Sequence, residues 1–231
     1  TSSLFQTLRE SIRGYAALLL FLLLSAIVSL LLGEEGDHSW CDLVCAGGCG
    51  ILLWEPLLEI ARQIGMKSPQ VGVDIIFFDA EDYGQPYFST HSEVQDSWAL
   101  GTQYWVRRPH RPGYRARFGI LLDMVGGENA VFAREKASLQ YAPGIVDKVW
   151  KKAQSLGYGK YFSDNEGGYI IDDHVYVNKM GIPSIDIIQY DASSDSGFNP
   201  QWHTVHDTMD HIDKETLKAV GQTVLAVIYN E

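Results

Sequence analysis

The sequence contains few cysteines and few basic side chains. Its three cysteines, Cys41, Cys45 and Cys49, are too few and too closely spaced to form a disulfide-stabilised scaffold in a chain of 231 residues. Lysine and arginine number 18 against 29 acidic residues, a net charge of -11, which argues against a nucleic-acid-binding protein because such a protein needs a basic surface. Aromatic residues make up 12% and charged residues 20%, so the composition indicates a folded, acidic protein rather than a disordered chain.

The longest apolar run covers residues 15–32, and its only polar groups are two serines and the Tyr15 hydroxyl. A helix of this length nearly spans the ~30 Å hydrocarbon core of a bilayer. Arg9 and Arg13 precede the run and acidic residues follow it. The positive-inside rule therefore predicts an uncleaved signal anchor, with residues 1–14 in the cytoplasm and the rest of the chain outside it. A cleaved signal, which would release a secreted protein, and a buried core helix are the alternatives.

Residues 36–56 show no clear hydrophobic periodicity, and we interpret them as an atypical linker after the predicted stub and anchor helix of residues 1–35. The three cysteines in this stretch are spaced as Cys-x3-Cys-x3-Cys, which would place the thiols on one face of a helix. Nearby glycines make a helix unfavourable, and the spacing matches no common zinc or iron–sulfur site. The sequence predicts free thiols without a special role.

From residue 57 onward, amphipathic segments alternate with mostly apolar ones. The predicted helices cover residues 57–65, 96–108 with Asp96 as its cap, 143–159 and 214–229, and the predicted strands cover residues 71–80, 118–127 and 182–191. Strands that alternate with helices favour a largely parallel sheet between two helical layers, and apolar strands fit a sheet that is covered on both faces. The sequence therefore predicts a three-layer α/β/α domain over residues 57–231.

Four groups of polar side chains follow the predicted strands or open the helix between them. They are Glu81 and Asp82; Asp123; Asp172, Asp173 and His174; and Trp202 and His203. Ligands of open α/β sheets bind at the carboxyl ends of the strands, and adjacent carboxylates are unfavourable unless a positive charge compensates them. A divalent metal is the simplest such charge, and oxygen and nitrogen donors without thiolates suit a catalytic zinc ion. Taken singly, each group could instead be a helix cap or a solvated loop residue.

The stretches FFDAEDYG, DSWALGTQYW, GILLDMVGG, DDHVYVNKMGIPSIDIIQYD and WHTVHDTMD, in that order, resemble the zinc-dependent M28 peptidase superfamily. Within it they are most similar to the glutaminyl-peptide cyclotransferase branch, especially its bacterial members. The resemblance covers about residues 57–231 and implies the phosphorylase/hydrolase-like fold of the zinc aminopeptidases. It also implies an enzyme that converts the N-terminal glutamine of peptides to pyroglutamate with release of ammonia. This enzyme would be a monomer that binds one zinc ion.

The resemblance also implies roles for particular residues. Asp82 and His203 would bind the zinc ion, and Glu81 would be the general acid/base. Asp123 and Asp172 match two acids that hydrogen-bond near the base and orient the substrate amine. Trp202 would form a wall of the substrate pocket. We assign no role to Asp186, because it stands where the animal relatives have a histidine.

The sequence departs from the family pattern upstream of residue 57. A His-x-Asp motif and a Gly-Ala-x-Asp turn are expected there, but the position ten residues before Glu59 is Cys49, so the third zinc ligand is not identified. The first strands of the family sheet are predicted to be missing, through an altered gene model or through truncation with an acquired anchor. Two further functions stay open. One is an M28 aminopeptidase, in which Asp123 binds a second zinc ion and Glu81 activates water. The other is a non-catalytic remnant without a complete metal site.

Overall fold

The structure, a computed structural model, describes residues 41–46, 54–82 and 96–231. All of them belong to one compact unit, Ser39–Glu231. The apolar run at residues 15–32 lies outside the described residues, so the predicted anchor stays a prediction. Within the described ranges, no helix is both long and apolar enough to cross a membrane.

The described strands form one main sheet and one small one. They are β1 Cys41–Ala46, β2 Gly72–Phe77, β3 Ala116–Asp123, β4 Phe132–Arg134, β5 Phe162–Glu166 and β6 Ser184–Ile188. The main sheet has the order β2-β1-β3-β6, and every neighbouring pair in it is parallel. Strands β4 and β5 form a separate parallel pair. Strand β2 lies on one side of β1 and strand β3 lies on the other, so the strand order reverses at β1. In open α/β sheets a ligand cleft forms at such a point, at the carboxyl ends of the strands.

Six α-helices and one short 3-10 helix accompany the strands in the described part of the chain. The α-helices are α1 Trp54–Met66, α2 Leu100–Arg107, α3 Lys136–Tyr141, α4 Pro143–Ser155, α5 Asp173–Lys179 and α6 Lys214–Ile228, and the 3-10 helix is Met209–His211. The first residues of two of these helices have a local cause. Pro143 occupies the first turn of α4, and the Asp213 side chain caps α6 by accepting the Glu215 N–H.

Two hydrophobic clusters lie on opposite faces of the main sheet. On one face, Ile120 and Leu122 of β3 belong to a large cluster that includes Leu57 of α1, Trp150 of α4 and Val224 of α6. On the other face, Leu121 of β3 packs in a smaller cluster that includes Val177 of α5 and Trp105 of α2. Successive strand residues point to opposite faces, so β3 serves both clusters. The three-layer arrangement with a parallel central sheet agrees with the sequence-based expectation.

Strand β1 lies inside the stretch that the sequence analysis interpreted as a linker. It pairs in parallel with β2 from Cys41↔Gly72 to Ala46↔Phe77, and with β3 on its other side. A central strand of a parallel sheet is covered on both faces and has no alternation of polar and apolar residues, which is why the pattern at residues 41–46 did not predict it. The described sheet therefore has a strand in the place where the sequence analysis expected one to be missing.

Helix α2 begins later than predicted. Its cap residue is Ala99, in a left-handed conformation and without a side-chain cap, so the prediction that Asp96 caps the helix was wrong. Asp96 instead accepts a hydrogen bond from the Gln103 side chain through its backbone oxygen, at 2.7 Å. The short elements β4, α3 and β5 were not predicted, because segments of three to six residues carry too little periodicity to be recognised.

Candidate active site

The predicted site residues come from four separate segments that meet at the carboxyl edge of the sheet. Glu81 and Asp82 follow β2, Asp123 ends β3, Asp172 precedes α5 and His203 lies in the segment after β6. All of them line one cleft of about 720 Å³, and Trp202 lines it as well. The fold thus brings into one cleft the six residues for which the family resemblance implies a role, whereas Asp173 and His174 do not line it.

Asp82 and His203 are in direct contact although 121 positions separate them in the chain. The His203 Nε2 atom lies 2.9 Å from Asp82 Oδ1, and the two side chains are 37% and 27% exposed. The Trp202 ring stacks on the His203 ring with centroids 4.0 Å apart and an angle of 17° between the planes. The indole therefore fixes the plane of the imidazole and forms part of the cleft wall.

Behind this pair lies a cluster of buried acids. Asp123, Asp172, Asp173 and Asp186 are each less than 9% exposed, and Glu81 lies partly buried among them. Burial, followed by the charges of Asp172 and Asp123, raises the pKa of Glu81 to about 11. Burial is also the main cause that raises the pKa of Asp172 to about 6, against the opposing effect of a nearby histidine. Carboxyl groups that are buried this close together stay protonated until a cation binds beside them.

Asp172 serves as a helix cap and as a member of this cluster. Its Oδ1 atom accepts the backbone N–H of Asp173 at 2.5 Å, which is the N-cap interaction of α5. Asp172 therefore caps α5 and also lines the cleft, so the two sequence-based interpretations of this residue do not exclude each other. Because the cap fixes the carboxyl at the first turn of α5, the orientation of that helix determines where the carboxyl points.

Strained backbone is found next to the acids and at the histidine. Ala80, which precedes Glu81, has a φ of 50°, and Met124, which follows Asp123, has a φ of 47°. His203 itself has a φ of 56°. A left-handed conformation at a residue other than glycine costs free energy and persists only where the surroundings impose it. These three positions bend the chain so that the neighbouring polar side chains enter the cleft.

The loop that carries Glu81 is held by the start of α2. The backbone N–H of Ala99 donates to Glu81 O at 2.9 Å, and the N–H of Gly101 donates to Asp79 O at 3.1 Å. A Cβ atom at position 101 would overlap the backbone oxygen and the side chain of Asp79. Only glycine permits this approach, so Gly101 sets the distance between α2 and the Glu81 loop.

We expect the Gly101→Ala variant to lose about 100-fold in turnover. The added methyl pushes the loop away from α2, and a displacement of about 1 Å at a catalytic group costs a factor of about 100. Steady-state kinetics would measure the loss, with thermal melting to show that the chain is folded. The matched control is Gly221→Ala, a glycine of α6 with no atom within 4 Å of an added Cβ. Equal turnover in both variants would contradict the role of Gly101.

Three buried groups near the cluster were not assigned a role from the sequence. Asp186, on β6, is fully buried, and Glu135 and His174 are each 1% exposed. His174 belongs to a polar group that the sequence analysis noted, and Asp186 was left without a role. Glu135 was missed because it follows a three-residue strand that has no recognisable pattern.

The donors in the cleft suit a metal ion. Asp82 and His203 supply a carboxylate oxygen and an imidazole nitrogen, which are the ligand types of catalytic zinc sites. Among the described residues, no group of three or more His, Cys, Asp or Glu side chains is arranged to hold a metal, and we assign no third ligand. The residues that are described fit zinc as a pair of adjacent ligands.

Comparison with known proteins identifies the family. Residues 46–228 match the model of peptidase family M28. The chain belongs to this family. The match begins at the end of β1, upstream of residue 57, so it extends further towards the N-terminus than the sequence motifs indicated.

Several known proteins resemble the chain. A Zn-dependent exopeptidase from Parabacteroides distasonis superimposes with a TM-score of 0.80 at 50% identity, over 86% of this chain and 76% of that one. A Tannerella forsythia glutaminyl cyclase superimposes with a TM-score of 0.79 at 48% identity, over 86% and 76%. The aminopeptidase YwaD of Bacillus subtilis is 29% identical over 75% of this chain and 35% of its own length. The chain spans half or less of the length of the curated relatives it matches.

Proposed function

We propose that this M28 chain is a zinc-dependent glutaminyl-peptide cyclotransferase, which converts the N-terminal glutamine of peptides to pyroglutamate. The observation that carries the proposal is the contact between Asp82 and His203 beside Glu81, within one acidic cleft. The 48% identity to a bacterial glutaminyl cyclase supports this proposal. One zinc ion is expected, held by Asp82 and His203.

The charge of the cleft supports a substrate with a free N-terminus. The described lining includes seven acidic side chains and no lysine or arginine; the acids are Glu81, Asp82, Asp123, Glu128, Asp172, Asp195 and Asp207. Such a cleft attracts a positively charged α-ammonium group and repels an anion. A peptide that begins with glutamine presents this charge and, four bonds away, the amide that reacts.

The reaction forms one bond and breaks another. The α-amine nitrogen bonds to the side-chain carbonyl carbon of the glutamine, and the bond from that carbon to the amide nitrogen breaks. Glu81 accepts a proton from the attacking amine and returns it to the departing nitrogen, which leaves as ammonia. When bound at Asp82 and His203, zinc supplies Lewis acidity for the amide carbonyl.

The neighbouring acids orient the amine. Asp123 and Asp172 are buried beside Glu81. Burial raises the pKa of both above the ordinary value, and the charge of Asp172 raises the pKa of Asp123 further. The protons that this cluster retains provide donors as well as acceptors for the substrate amine. Trp202 packs on His203 and closes the side of the cleft against which the substrate would lie.

An M28 aminopeptidase is the second candidate. The 29% identity to the B. subtilis aminopeptidase and the 50% identity to a Zn-dependent exopeptidase favour it. In this mechanism Asp123, whose Oδ1 atom is buried without a hydrogen-bond partner among the described residues, would bind a second zinc ion. Glu81 would then activate a water molecule instead of the substrate amine.

We also propose that residues 15–32 anchor a monomeric chain in a membrane, with the catalytic unit outside the cytoplasm. The support is the apolar length of this run and the arginines that precede it. Protease protection of the chain in sealed vesicles would measure the orientation. A chain recovered entirely in the soluble fraction, at full length, would contradict the anchor.

A single set of assays separates the candidate activities. The full chain is purified, its zinc content is measured, and a glutamine-initiated peptide and leucine amide are offered as substrates. We expect cyclisation of the peptide with about one zinc ion per chain. Hydrolysis of leucine amide with about two zinc ions would support the aminopeptidase instead. Absence of both metal and turnover would support a non-catalytic remnant.

A further inference from the structure

A buried histidine lies between two buried carboxyls directly behind the catalytic acids. The His174 Nε2 atom lies 3.2 Å from Glu135 Oε2, and its Nδ1 atom lies 3.8 Å from Asp186 Oδ2. All three side chains are no more than 1% exposed. The proposed reaction uses none of them, yet burial of three titratable groups is unfavourable unless they interact with one another.

Glu135 connects three segments of the site. Its Oε1 atom accepts the N–H groups of Ala137 at 2.6 Å and Ile170 at 2.9 Å, and its Oε2 atom accepts the N–H of Ser138 at 2.6 Å. The first and third bonds cap α3, whereas the second holds the cleft-lining segment that leads to α5. The Ser138 hydroxyl in turn accepts the backbone N–H of Asp186 at 2.9 Å.

The hydrogen bonds determine the orientation of the imidazole. Glu135 accepts several donors, and although burial opposes it, hydrogen bonding to His174 and to backbone N–H groups lowers its pKa. The ionised Glu135 therefore requires a proton on His174 Nε2, which donates to it. Nδ1 then faces Asp186, whose two oxygens have no hydrogen-bond partner among the described residues. Burial and the charges of Asp172 and Asp123 raise the pKa of Asp186, which favours the neutral form of this carboxyl beside the ring.

Helix α5 is fastened to β6 by Asn178, whose side-chain amide donates to His174 O at 2.8 Å and to Ser184 O at 2.7 Å. In the first turn of α5, the His174 ring faces Asp186 of β6 at 3.8 Å without a hydrogen bond. Asp172 caps the same first turn, so its carboxyl moves with the helix.

We propose that His174, oriented by Glu135, is a positioning residue that holds Asp172 and Asp186 in place within the catalytic acid cluster. The kinetic consequence rests on the proposed function, since it concerns the acids that orient the substrate amine. The positioning itself concerns only the fold, and it can be measured without substrate.

The kinetic test compares two variants with a matched control in the full chain. Glu135→Gln keeps the size of the side chain and removes its charge, and His174→Phe keeps a ring of similar shape without its nitrogens. Thr102→Val is the control, because the Thr102 hydroxyl donates to the buried Asp173 at 2.5 Å in the same turn of α5 and forms no hydrogen bond with His174. Each variant is characterised by kcat, KM, zinc content and melting temperature.

We expect kcat to fall about 10- to 100-fold in Glu135→Gln and His174→Phe, with KM within about threefold of the wild type, as for loss of an interaction made in the transition state. Thr102→Val should melt at a lower temperature and keep kcat within about threefold. If His174→Phe does not fold, Glu135→Gln alone decides. An unchanged kcat in Glu135→Gln, or an equal loss of kcat in Thr102→Val, would overturn the proposal.

NMR spectroscopy supplies the readout that needs no activity. The Asp173 amide proton reports the position of the Asp172 carboxyl to which it donates, and the His174 Nε2 proton reports the bond to Glu135. We expect both at low field in the wild type and both shifted in Glu135→Gln. In Thr102→Val, which removes a hydrogen bond to Asp173 itself, the His174 Nε2 proton should stay unshifted. If the wild type turns over neither substrate, the proposed function is wrong. The two resonances still test the positioning role of His174, because they are measured without substrate. Unshifted resonances in Glu135→Gln would refute the positioning role, whatever the activity.

Discussion

Replacing Glu81 by glutamine is expected to reduce turnover by about 10²- to 10⁴-fold while zinc stays bound. The amide keeps the shape of the side chain but cannot accept a proton from the substrate amine or return one to the leaving ammonia. Asp82 and His203 are unchanged in this variant, so the two described metal ligands remain. Turnover of a glutamine-initiated peptide and zinc content by mass spectrometry are measured on the same preparation.

The control for this experiment lies in the same cleft. Glu128 is an exposed acid that lines the same cleft, and Glu128→Gln makes the same replacement of a carboxyl by an amide. We expect its kcat to stay within about threefold of the wild type, because a screened surface charge contributes little to a buried site. Activity that survives in Glu81→Gln, or that is lost equally in both variants, would show that Glu81 is not the base.

Interrupting β1 with Val44→Pro is expected to unfold the domain. Val44 pairs with Ile75 of β2 on one side and with Ile120 of β3 on the other. Proline cannot donate a ladder hydrogen bond and is excluded from central strands, and a buried carbonyl left without its donor costs about 1–3 kcal/mol. That is a substantial part of the 5–15 kcal/mol by which a domain of this kind is stable. Circular dichroism and thermal melting of the full chain would show the loss.

The matched control for β1 is Val44→Ile, which keeps a β-branched side chain and the backbone donor. We expect it to melt cooperatively within a few degrees of the wild type. A chain that starts at residue 54 provides a second test. Without β1, strands β2 and β3 have no common neighbour, and unpaired strand edges promote aggregation. A monodisperse fragment with a cooperative transition, or a stable Val44→Pro variant, would show that β1 is not required.

The sequence by itself determined the layered arrangement and the position of the polar residues along it. The apolar run before Glu81, the run that ends at Asp123 and the one over Ser184–Ile188 were recognisable because strands covered on both faces are continuously apolar. The helix α6 was predicted to within one residue, since its amphipathic pattern extends over fifteen positions. The family motifs selected Asp82 and His203, whose roles as zinc ligands remain predictions.

The tertiary structure decided which of these residues are in contact and how. No pattern in the sequence states that Asp82 and His203 lie 2.9 Å apart, because their contact follows from the paths of two loops through strained residues. The proximity of His174 to Glu135 and Asp186 cannot be read from the sequence either, since it brings together a helix cap, a helix and a strand. Hydrophobic periodicity reports which face of an element is buried, whereas contacts between polar groups depend on how the elements pack against one another.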